Sequence, residues 1–314
     1  MRTAGVRTCR TALSGPVRSV LTVVGLALLV SPAAVDGQTL TGHYSPGLFG
    51  LRSAHSFPMG FSYLNVTNIY YAGEVKDNDG QISTLAKPVS VVANINGVLW
   101  GRRVDALKAN FNAGVAVPIA NLALNPETLD LDPERVGISD IFLIPALLSW
   151  DFGRVVTRVH YGLFLPTGSF AVGSVSNRGK GFWTHALASA VTAYLDPDKA
   201  WHASVHGTYE IHTKQKESDI KPGQNIVIEW GVGRTWNNAF NMGLIGHNVF
   251  QTTDQVNADG SGTGLKKYRV NGIGAEFGYR TASRWAFITR WYLEYAARNR
   301  PEGTTIRFVV LKNF

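Results

Sequence analysis

The sequence predicts an all-β protein: a transmembrane antiparallel up-and-down β-barrel of about 12 strands, with short periplasmic turns and long extracellular loops. Three observations predict it. Charged residues are only 17% of the 314 while aromatics reach 11%, against roughly 25% charge in an ordinary soluble domain. No segment has the ~18 uninterrupted apolar residues of a membrane helix. Period-two alternation recurs instead, in pieces long enough to cross a membrane as tilted strands.

Residues 1–37 read as a signal peptide. Arg2, Arg7, Arg10 and Arg18 form a basic region, and the apolar run from Val20 to Val30 is too short for a membrane anchor. Cleavage is expected after Ala34 or Gly37. The only cysteine, Cys9, falls in this segment, so the mature chain is expected to lack disulfides, thiolate catalysis and cysteine metal sites. The formal charge of +8 would drop to about +5 with the segment gone. No block of like charge remains, which argues against a nucleic-acid partner.

Residues 38–58 form an N-terminal lead-in or plug segment. Its glycines, prolines and aromatics build neither a spanning strand nor an amphipathic helix. Two expectations stay open here: a plug folded into the periplasmic mouth or lumen, or a loosely ordered lead-in.

Residues 59–314 form the outer-membrane β-barrel. Alternation places strands near 59–75, 88–101, 106–118, 137–151, 154–166, 181–195, 199–213, 224–236, 239–254, 265–281, 284–297 and 303–314. Short turns are expected at 102–105, 151–153, 196–199, 237–238 and 281–283. Longer polar connections are expected at 76–87, 119–135, 167–180, 214–223, 255–264 and 298–303. A soluble sandwich has no reason to sort its loops by length, whereas a membrane barrel does. An even strand number puts both ends at the periplasmic side of a bacterial outer membrane.

Within WHASVHGTYEIH, Trp201, Val205, Tyr209 and Ile211 share one parity, opposite His202, His206, Glu210 and His212. Arg290, Glu294 and Arg298 share a face on another strand, and Arg154, Arg158 and His160 on a third. Imidazole and carboxylate can ligate zinc. Their i,i+2 spacing of ~7 Å along a strand suits a hydrated channel lining better. These residues are therefore assigned as channel-lining, with no metal and no cofactor. Phe182, Trp183, Trp230, Trp236, Trp285 and Trp291 are expected at the lipid face or interfacial girdle. In the closing strand, Ile306, Phe308, Val310 and Phe314 share the outward parity. Phe314 is expected to be the assembly signal read by the barrel assembly machinery, and Lys312 to snorkel at the rim.

Several stretches are specific enough to carry a resemblance: GHYSPGLFG (42–50), PMGFSYLNVTNIYYAGEVKDNDG (58–80), FLPTGSF (164–170), NRGKGFWTHALASAVTAYLD (177–196), YEIHTKQKESDIKPGQNIVIEWGVGR (209–234) and RWYLEYAARNRPEG (290–303). In this order they resemble the MetA-pathway of phenol degradation family. The resemblance implies a transporter-like outer-membrane barrel associated with aromatic-compound catabolism. Its partners would be outer-membrane lipid and small hydrophobic or aromatic solutes.

The expected function is passive uptake of such solutes by a monomer. The alternatives are a structural or adhesive barrel with ligand-binding loops, and an outer-membrane lipid hydrolase. The hydrolase fares worst. Ser204 shares the parity of His202 and His206, a poor placement for a nucleophile and base, and neither GxSxG nor HExxH occurs. No enzymatic activity is expected.

Overall fold

The computed structural model describes residues 40–83, 88–123, 136–174 and 177–314, the side chains of 120–123 excepted. The signal segment expected over 1–37 lies outside the described residues.

Twelve long strands follow one another: β1 (Gly60–Lys76), β2 (Val89–Val104), β3 (Ala109–Ala123), β4 (Ile141–Asp151), β5 (Val155–Leu165), β6 (Thr184–Tyr194), β7 (Trp201–His212), β8 (Asn225–Trp236), β9 (Phe240–Gln251), β10 (Arg269–Arg280), β11 (Trp285–Arg298) and β12 (Arg300–Asn313). Each pairs antiparallel with the next. β12 then pairs with β1, from Ser62↔Asn313 to Lys76↔Arg300, and closes the cylinder. Closure satisfies the strand backbones among themselves, as lipid requires. A two-residue strand, Gly137–Ile138, adds to the far part of β3.

The alternation read from sequence is the alternation of the wall. Val205, Leu244, Phe277, Leu293 and Phe308 point outward and are exposed, while His206, Ile245, Glu276, Tyr292 and Arg307 point inward and are buried. An apolar exterior around a polar interior inverts the soluble pattern and suits a lipid surround. Trp100, Trp201, Phe240, Tyr279 and Trp285 stand exposed near the short-turn end, as an interfacial aromatic belt does. Lys312 fits this rim. Its ammonium donates to the Ser283 carbonyl at 2.7 Å and lies 5.2 Å from the Trp285 ring centroid.

Two expectations need correction. RNRPEG (298–303) is no long loop. β11 and β12 meet across the single residue Asn299, whose φ is 52°, a conformation asparagine tolerates. The register of β11 against β10 shifts between Arg269 and Asn271, where Ala296 has φ 53°. This bulge reverses parity beyond Ala296. Phe182 is the second correction. It is buried rather than lipid-facing, with ring centroids 4.9 Å from His43 and 5.3 Å from His212.

Candidate functional site

Residues 40–57 occupy the interior of the barrel. Strand β7 serves as a ruler, because it rises from the short-turn end at Trp201 to the loop end at His212. His43 and Tyr44 donate their amides to Glu210 near its top, at 2.9 and 2.8 Å. Phe49 lies 4.4 Å from the His206 ring midway. His55 meets the Tyr194 hydroxyl at 2.7 Å, beside His202 near the bottom. The Phe57 carbonyl then accepts from Asn112 at 3.1 Å, just before β1 begins. The segment thus descends the whole lumen. It runs antiparallel to β7.

This segment forms no regular secondary structure, so its backbone polar groups must find partners elsewhere. The wall supplies them. Glu210, Glu229 and Glu276 accept from the amides of His43, Tyr44, Gly47, Leu48, Phe49 and Leu51. Arg290 donates to the carbonyls of Leu48 and Phe49, and Arg307 to that of Pro46 and to the Ser45 hydroxyl. Glu229 is the hub, because the Tyr44 hydroxyl adds a further bond to it at 2.7 Å. Arg290 and Glu276 also pair with each other at 2.7 Å.

Apolar fit is local. Leu51 packs on Gly231 and Gly233 of β8, where an added Cβ would come within 2.9 and 2.7 Å of its methyls. Gly50 has φ 53° and faces Glu276 and Arg290 so closely that a Cβ would collide with both.

Near the loop end a hydrogen-bonded chain clasps the start of the segment. Asp140 meets His43 Nε2 at 2.9 Å, and His43 Nδ1 meets the Thr184 hydroxyl at 2.7 Å. Thr184 meets His212 Nδ1 at 2.7 Å, and His212 Nε2 meets Asn225 Oδ1 at 2.9 Å. Asn225 Nδ2 donates onward to Glu210 at 2.7 Å. Burial lowers the His43 pKa, and the Asp140 hydrogen bond opposes that shift.

Lys180, from the loop after β5, donates to the carbonyls of Thr41 and Gly42, and burial lowers its pKa to about 8. Potential ligand atoms of His43, Glu210 and His212 lie within 4.8 Å of one another, a donor set suited to zinc. The ring nitrogens and the carboxylate are already engaged by hydrogen-bond partners, so a metal would have to displace the clasp.

Of the residues assigned to the lining, His202, His206, Glu210, His212, Arg158, His160 and Arg290 are all buried on the inner face. They do not form one cluster. His206 and His160 stack 5.8 Å apart against Phe49, whereas Glu210 and His212 belong to the clasp. His202 lies lower, with Thr235 3.4 Å from its Nε2. Glu294 is inward and accepts from the Tyr70 hydroxyl at 2.8 Å.

Arg298 is the exception. Past the Ala296 bulge it is half-buried at the loop end, and its Nε donates to the Lys267 carbonyl at 3.1 Å. Arg154 is exposed in a turn. Ser204 bonds Thr192 at 2.9 Å rather than either histidine. Phe314 is exposed and donates its amide to the Phe61 carbonyl at 2.9 Å, at the β1–β12 seam.

Sequence reading missed His43, Asp140, Thr184, Glu229, Glu276 and Arg307. Glu229 and Glu276 carried a usable signal. Each is a lone carboxylate between outward apolar residues in IEW and AEF.

The family described as "Putative MetA-pathway of phenol degradation" matches residues 72–309. No curated protein matches the chain. Among solved structures, the COG4313 outer membrane channel from Pseudomonas putida F1 is similar with a TM-score of 0.71. It is 12% identical, over 86% of this chain and 100% of that one. The CymD monoaromatic hydrocarbon channel has a TM-score of 0.46 at 9% identity, over 82% of this chain and 89% of that one. The β-domain of the Bordetella autotransporter BrkA also reaches 0.46, at 10% identity, over 82% and 100%. The first likeness bears on fold alone, and the other two support no argument about cargo.

Proposed function

The chain belongs to the MetA-pathway of phenol degradation family, and from that premise we propose an outer-membrane channel for passive uptake of small aromatic or otherwise hydrophobic compounds, closed at rest by residues 40–57. The observation that carries this reading is the bonding between segment and wall. Six backbone amides rest on three wall carboxylates, where a permanent core would be apolar. Each such bond to a charged acceptor contributes ~1.5–3 kcal/mol, and water can take its place on the carboxylate when the segment moves. The segment can therefore shift while the closed sheet around it persists.

In this mechanism solute enters from the loop end, displaces the segment, and leaves at the periplasmic turns, driven by its concentration gradient. The barrel works as a monomer, sealed by its own β1–β12 seam, with Phe314 as the mark for assembly. No enzymatic step is proposed.

Proteoliposome swelling tests the reading. Phenol should permeate faster than a sugar of similar size, and deleting residues 39–57 should admit both. If neither solute permeates faster than into protein-free liposomes before or after the deletion, a structural or adhesive barrel is the better account. Lipid hydrolysis by the detergent-folded protein, with or without calcium, would instead favour the hydrolase.

A further inference from the structure

The inward arginines differ in one respect. Arg290 offers the Nε–Nη2 edge of its guanidinium to surroundings that include a carboxylate, with Nε bonded to Glu276 at 2.7 Å. Arg307 uses the same edge, with both Nε and Nη2 donating to Asn68 Oδ1 at 2.9 and 2.8 Å. Arg158 is 1% exposed, yet its Nε and Nη2 have no hydrogen-bond partner among the described residues. Those two donors lie along one side of the planar fork, the side whose geometry matches the two oxygens of a carboxylate. A buried guanidinium with an unmet edge is costly, and a bound anion relieves that cost.

The surroundings favour an aromatic anion over a bare one. The Arg158 guanidinium sits 4.0 Å from the Phe49 ring centroid. The His160 and His206 rings flank Phe49 at 5.8 and 4.4 Å, and His160 Nδ1 also lacks a partner. Across the sheet, Arg158 and His160 stand opposite Ala190 and Ala188 of β6, whose side chains intrude little. The carboxylate on the same row is Glu229, and its oxygens are taken by Tyr44, Gly47, Leu48 and Phe49.

We propose that Arg158, His160 and His206, together with Phe49 of the lumen segment, form a binding site for an aromatic carboxylate. The Arg158 edge would take the carboxylate, and Phe49 and the two imidazoles the ring. This rests on the channel reading for its physiological meaning, and it narrows the cargo from aromatic compounds in general to their acids. Because Phe49 belongs to the segment, ligand and segment share one site. Binding would loosen the contact between Phe49 and the wall.

The test is equilibrium binding to the full folded protein in detergent, so it does not depend on transport. Benzoate is titrated against benzyl alcohol, its neutral near-isostere, with sodium formate as the ring-free control. Benzoate should bind at least about tenfold more tightly than either. Arg158→Gln should erase that preference, and Arg298→Gln should leave it intact. Heat-modifiable migration on gels verifies that each variant is folded. The wild-type comparison stands even if Arg158→Gln fails to fold. Equal binding of benzoate and benzyl alcohol overturns the proposal, as does equal binding of benzoate and formate, or benzoate preference surviving in folded Arg158→Gln. Selective binding without permeation would leave this site standing and remove the channel reading.

Discussion

Replacing Glu229 with glutamine removes the charge at the hub of the lumen segment and keeps its shape. In the parent, one carboxylate oxygen accepts from the Tyr44 hydroxyl at 2.7 Å and from the amides of Gly47 and Leu48 at 2.8 and 3.1 Å. The other accepts from the Phe49 amide at 2.9 Å. Glutamine retains one acceptor oxygen, and its amide nitrogen must then confront a donor. Hydrogen bonds to a charged acceptor contribute ~1.5–3 kcal/mol, and neutral ones ~0.5–1.5. Losing the charge on the three surviving bonds and orphaning the fourth should cost at least about 3 kcal/mol, or at least roughly a hundredfold in the docked-to-released ratio. Planar-bilayer recording of Glu229→Gln should show open events more frequent by about that factor. Unchanged opening in a variant that still migrates as a folded barrel would refute the reasoning.

Other outcomes follow from the same contacts. Gly233→Val intrudes on the Leu51 methyl position and should destabilise docking by about 1–3 kcal/mol, visible as increased leak in swelling assays. Arg290→Gln strands the buried Glu276 carboxylate and should lower unfolding stability by about 3–5 kcal/mol. Arg298→Gln, beyond the bulge, should leave both stability and conductance at parent values. Lys180 has a docked-state pKa of about 8 against 10.5 when free, so the released state binds more protons between those values. Raising the pH from 8 to 10 should therefore favour docking and reduce open events, a trend that Lys180→Met should abolish.

The barrel was legible in sequence because lipid imposes a strict rule on every strand. His206 and Val205 must face opposite ways, and the pattern shows in twelve consecutive residues of β7. Arg298 broke the reading because one residue with positive φ, Ala296, reverses parity without any mark in composition. The interior was much harder to see. His43 meets Asp140 across 97 positions, and Arg307 meets Ser45 across 262. No periodicity links such residues. The aromatic and glycine content of GHYSPGLFG hinted at burial, but the direction of the segment and its carboxylate partners depend on closure of the cylinder.

The central claim is that the lumen segment must move for solute to pass. The pair Leu51→Cys and Gly233→Cys tests it most directly, since Leu51 already contacts the Gly233 position and the native cysteine, Cys9, lies in the expected signal segment. Phenol flux above that of protein-free liposomes should be absent in oxidised proteoliposomes and return on reduction. Equal flux in the bridged and reduced states would contradict the account.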